Sequence, residues 1–91
     1  MKIHFKEKDI ELRQTLRSLV LYENITGKTF HPTTINDIIT LFYCVVVASA
    51  KDYSIGYEEF LDFLDDNMEL FTEFSEWLSN LLKNPNFLKY F

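Results

Sequence analysis

The sequence predicts an all-α fold, a small bundle of about four helices around a central apolar helix at residues 34–50, with a short extended N-terminal arm. Three observations predict it. The chain is 47% hydrophobic with nine Phe, five Tyr and one Trp, an inventory that supports a packed core and argues against disorder. Two Gly and two Pro leave little turn material for a many-stranded β fold. The third observation is the run TINDIITLFYCVVVASA from Thr34 to Ala50. Read as a helix, it carries Ile35, Ile38, Ile39, Leu41, Phe42, Cys44, Val45, Val46 and Val47 around nearly its whole circumference, which only burial on several sides tolerates. Val45 to Val47 favours a strand locally, but the apolar pattern continues for about four turns, too long for a buried strand. The 91 residues make a single helical domain, 1–91, small enough that every apolar face must be used.

Taken in order, Met1 to Lys6 alternates apolar and polar and reads as an extended arm with Ile3 and Phe5 turned inward. Helical spacing follows from about Asp9, with Leu12, Leu16, Leu19, Val20 and Glu23 in step and Arg13 and Arg17 on another face. Gly27 sits where a left-handed cap would end that helix, so the first helix is placed at roughly 9–25. Lys28 to Thr33 is a loop with Phe30 tucked back as an anchor. Pro32 and a capping Thr34, with Asp37 in the first turn, start the central helix. After a connection at Lys51 to Gly56, in which Asp52 or Ser54 can cap, Tyr57, Phe60, Leu61 and Leu64 form the stripe of a short third helix. Its outer side carries Glu58, Glu59, Asp62, Asp65 and Asp66. Asn67 breaks and caps it. Leu70, Phe71, Phe74, Trp77, Leu78, Leu81 and Leu82 make a fourth helix that Asn84-Pro85 stops.

Charge narrows the partner class. Net charge is −5, yet residues 1–28 carry six Lys or Arg against four acids, whereas residues 52–76 carry nine acids and no base. Such an anionic surface repels phosphate, and the basic excess near the start is too small for an electrostatic footprint on DNA, so nucleic acid is not expected as a partner. A protein is. The start lacks a basic, apolar, small-residue leader and the central stretch holds Asn36, Asp37 and Thr40, so neither secretion nor a membrane span is expected. The reading is a soluble intracellular protein.

No catalytic or metal-ligating pattern survives inspection. Cys44 is the only cysteine and lies in the most apolar helix, which makes it a core residue. A buried thiol at mid-helix does not pair usefully with His4 or His31 as nucleophile and base, and the three show no zinc spacing. Thr26-Gly27-Lys28-Thr29 contains a G-K-T, but the upstream glycine of a phosphate loop is missing and the segment ends a helix rather than beginning one. Lys51 to Phe60 has the flavour of a calcium loop ending at Glu59, yet its ligand positions fall on Ala48 and Ala50 and its glycine position on Tyr53. Asp62, Asp65, Asp66 and Glu69 would share one face of an unbroken helix. They read as a solvated face available to a basic partner, not as a cation site. Neither cofactor nor metal is expected, nor is enzymatic activity.

Glu11-Leu12-Arg13, Leu16-Arg17, Tyr22-Glu23 and Thr26-Gly27-Lys28 followed by Phe30 resemble the N-terminal helix and turn of the small tail assembly chaperones of long-tailed bacteriophages and prophages. Asp37, Leu41, Tyr43-Cys44, then Tyr57-Glu58-Glu59-Phe60-Leu61 with Leu64-Asp65, are similar to that family's apolar middle helix and its third helix. The resemblance covers about residues 3–75, through order and spacing rather than one specific motif. It implies a mainly α-helical, non-enzymatic protein of the bacterial host cytoplasm that binds the hydrophobic tape-measure protein and helps tail-tube subunits gather on it. The alternative is a small helical adaptor or regulator from a mobile genetic element. Protein-binding residues are expected at Asp62, Asp65 and Asp66, and in the aromatic end at Phe87, Leu88, Tyr90 and Phe91. That end is read as folding back over Trp77 or Leu81, with docking on a second copy, hence a homo-oligomer, as the other reading.

Overall fold

A computed structural model describes residues 1–31, 33–50 and 54–83. In chain order the elements are β1 (Lys2–Phe5), β2 (Lys8–Glu11), α1 (Leu16–Thr26), α2 (Ile35–Ser49), α3 (Tyr57–Asp66) and α4 (Glu69–Leu82). The fold is mostly helical, four helices as expected, with one addition: the extended arm is one strand of a two-stranded β-hairpin. β1 pairs antiparallel with β2, with Ile3 opposite Ile10 and Phe5 opposite Lys8. The turn consists of Lys6 and Glu7, both at positive φ (48° and 65°). A two-residue loop of that handedness matches strand twist, and it normally carries Asn-Gly or Asp-Gly. Lys-Glu gives no such signal.

The hairpin displaces the start of the first helix. Residues 9–12 were expected in that helix, yet Asp9, Ile10, Glu11 and Leu12 alternate exposed, buried, exposed, buried, the period of a strand and its continuation. Leu12 donates its N–H to the Met1 carbonyl at 2.7 Å, closing the hairpin's open end. The helix begins instead after Thr15, whose hydroxyl accepts from the Ser18 N–H. This register turns Ser18 and Tyr22 inward and leaves Leu16 and Val20 more than half exposed, so the expected stripe through Leu16 and Val20 is corrected. Gly27 ends α1 as expected, at φ 74° with its N–H on the Glu23 carbonyl at 2.7 Å. A side chain there would be strained in the left-handed region.

The core forms around α2. Leu41, Phe42, Cys44, Val45 and Val46 are fully buried. Each large apolar side chain so buried is worth about 1.5–3 kcal/mol relative to exposure. Phe42 stacks on Phe74 of α4 (ring centroids 4.2 Å apart) and meets Phe60 of α3 edge-on at 5.1 Å, so one side chain ties three helices. Phe5 of the hairpin meets Phe63 of α3 edge-on at 4.8 Å. On the other flank Tyr22 of α1 packs edge-on against Phe30 at 5.1 Å, the anchor the sequence suggests. Ile35 departs from expectation. At the first turn of α2 neighbours run out on one side, and it is 66% exposed.

The α2 start is built as its sequence requires. Thr34 accepts from the Asp37 N–H at 3.1 Å, and Asp37 accepts in return from the Thr34 N–H at 3.2 Å, a reciprocal cap. At α3 the cap position is Gly56, not Ser54; the Gly56 N–H donates to Glu59 Oε1 at 3.0 Å. Asn67 breaks the chain between α3 and α4 as expected, and its side-chain amide donates to the Phe63 carbonyl at 2.9 Å. Pro32, Lys51 to Tyr53 and Asn84 to Phe91 lie outside the described residues. With them lie the expectations of a Pro32 start, an Asp52 cap, an Asn84-Pro85 stop and an aromatic tail.

Candidate protein-binding site

Asp62, Asp65 and Asp66 stand exposed on α3, opposite the side that buries Phe60 and Leu64. Helical period alone dictates this: acids at i, i+3 and i+4 share a face, and the apolar residues occupy the other. Glu69 does not continue that face on the same helix, because Asn67 interrupts it and Glu69 opens α4. Glu58, Glu73 and Glu76 are exposed as well. Glu59 alone is ion-paired among the described acids of α3 and α4: Lys6 of the hairpin turn reaches it, and that bond together with the Gly56 N–H holds its carboxyl below the usual range. The other acids of this face form no ion pair among the described residues.

Beside this face lies an open groove of about 530 Å³ between the first turn of α2 and the α3–α4 junction. Leu64, Ile39 and Phe71 form its floor, Ile35 and Met68 its rim, and Asp65 and Glu69 its acidic walls. Of the three acids expected to bind a partner, only Asp65 reaches the groove; Asp62 and Asp66 lie on the adjoining surface. Phe87, Leu88, Tyr90 and Phe91, the other expected binding residues, lie outside the described residues. Ile35, Ile39, Met68 and Phe71 were not read as binding residues. Ile35 and Ile39 look like core on a helix wheel, and Met68 sits at a helix break that belongs to no stripe. The one available signal was Met68 itself, a large apolar residue beside a break and between acids.

Elsewhere the polar groups serve structure. Asp37 accepts from the Thr33 N–H at 3.0 Å, the Thr33 hydroxyl at 2.9 Å and the Thr34 N–H at 3.2 Å, while Lys28 stands 3.5 Å away. The Thr33 bonds lead in lowering its carboxyl to about 2. The hydroxyl of Tyr22 donates to the same carboxylate at 3.4 Å, joining α1 to α2. The G-K-T segment is thereby accounted for, Gly27 as a cap and Lys28 as a counter-charge to Asp37. Cys44 is fully buried and its thiol is pushed up to about 11 by desolvation, whereas His4 and His31 are exposed. The thiol has no imidazole partner among the described residues. Nor do these residues group three or more His, Cys, Asp or Glu so as to hold a metal ion. No helix among the described residues is long and apolar enough to cross a membrane.

No protein-family model, curated protein or solved structure matches the chain.

Proposed function

We propose that this chain is a non-enzymatic protein-binding domain of the tail assembly chaperone kind, which holds a tape-measure protein in the host cytoplasm while tail-tube subunits gather on it. The observation that carries the protein-binding part is the pairing of an exposed acidic face with an open apolar groove. Rims of charge around exposed apolar residues are how soluble domains present a binding surface, since isolated apolar patches of that kind otherwise promote aggregation. The assignment to tail assembly rests on the order and spacing of Glu11 to Phe30, of Asp37, Leu41 and Tyr43-Cys44, and of Tyr57 to Asp65. Tyr22, Gly27, Phe30, Phe60 and Leu64, which carry part of that resemblance, also perform structural work as core residues or cap.

Co-expression tests the reading. The chain is produced together with the tape-measure and tail-tube proteins encoded in the same genome, and the soluble fraction of the tape-measure protein is measured with and without it. The expected result is a tape-measure protein that becomes soluble and co-elutes with the chain. A tape-measure protein equally insoluble in both cases would overturn the chaperone assignment and favour the adaptor reading.

A further inference from the structure

We infer that the groove between the first turn of α2 and the α3–α4 junction is the seat of one amphipathic helix of a partner protein, its apolar side on Ile39, Leu64 and Phe71 and its flanking Lys or Arg side chains against Asp65 and Glu69. This deepens the protein-binding reading above and rests on it. The first support is the exposure pattern. Ile35 and Met68, which line one groove with Leu64, are 66% and 73% exposed, while Leu64 is only 7% exposed. Large apolar side chains rimming a partly covered apolar floor gain most from a partner that removes them from water.

Charge selects the occupant. Asp65 and Glu69 line the groove, Asp62, Asp66 and Glu73 extend the field around it, and residues 52–76 contain no Lys or Arg to offset it. An anionic lipid surface or a nucleic-acid strand would be repelled by that field, whereas a helix with basic flanks is attracted and oriented by it. Backbone chemistry selects the shape. The lining residues belong to α2, α3, α4 and the turn that holds Met68, none of them to a strand, so an extended segment laid here would find no strand edge to pair its own N–H and C=O groups. A helix satisfies its backbone internally and presents apolar side chains at i, i+3, i+4 and i+7.

The full chain is titrated with a synthetic helical peptide carrying Leu at i, i+3, i+4 and i+7 and Lys or Arg on both flanks, and with a copy whose basic residues are Glu. Binding is followed by calorimetry and by amide chemical shifts. The basic peptide is expected to bind and to move the resonances of Ile35, Ile39, Leu64 and Met68. Ile35→Asp and Met68→Asp should each weaken it at least about tenfold at unchanged melting temperature, because both side chains are already in water. The Glu copy should bind at least about tenfold more weakly. Undiminished binding to both variants, equal affinity for the two peptides, or no binding of the basic peptide at about 1 mM would each overturn the inference. Failure here is separable from failure of the chaperone reading. A tape-measure protein retained equally by the Met68→Asp variant removes the groove and leaves the chaperone, and a bound basic peptide with no retained tape-measure protein does the reverse.

Discussion

Phe42 touches both Phe60 and Phe74, so it takes part in packing both α3 and α4 on α2. Introducing Asp at Phe42, or at the equally buried Val46, places a charge in a fully buried apolar position, at several kcal/mol against a total stability of about 5–10 kcal/mol. Either variant should be unfolded by circular dichroism and by melting. Retention of the wild-type melting temperature would show α2 to be peripheral. Asp37 sets a different dependence. Its folded carboxyl lies at about 2 against an ordinary value of 3.8, so its contribution is full above pH 4 and is lost as pH falls through about 2. The stability gap between wild type and Asp37→Asn should therefore narrow from pH 4 to pH 2. A gap that stays constant over this range would show that the Thr33 and Thr34 bonds do not depend on the ionised carboxylate. Both residues were legible in the sequence, Phe42 through its place in an all-round apolar helix and Asp37 through its position three residues after a capping Thr.

At the scale of elements, the helices were legible and the hairpin was not. α2, α3 and α4 carry strong periodicity with Thr34, Asn67 and the acidic residues marking their ends, so their existence and faces follow from spacing. The hairpin hides because its turn is Lys-Glu and its second strand is only four residues long, ending just before Leu12, whose spacing also fits α1. The strain at that turn is testable. Glu7 holds φ 65° without a glycine's freedom, and Glu7→Gly relieves it at some cost in backbone entropy. A net gain of about 0.5–1 kcal/mol is expected, a rise of a few degrees in melting temperature. A lower melting temperature would mean that the Glu7 side chain contributes more than the turn strain costs. Lys6 is left in place because it pairs with Glu59 and so ties the hairpin to α3.

For the whole molecule, basic residues gather toward the start and acids toward α3 and α4, and the buried residues of α2 from Leu41 to Val46 pack with core residues from both halves. The acidic face could be read from sequence because a helix of known phase has only one solvent side. The groove beside it could not, since Ile35 and Met68 are brought together only by the angle at which the α3–α4 junction meets the first turn of α2. Charge and groove together make the central claim that this surface engages a basic protein partner. The most direct measurement is the affinity of the tape-measure protein for wild type and for the Asp62→Asn, Asp65→Asn, Asp66→Asn triple variant across a salt series. The account predicts weaker binding, a shallower salt dependence and an unchanged melting temperature for the triple variant, since all three carboxylates are solvated. Equal affinity at low salt with the same salt dependence would contradict it.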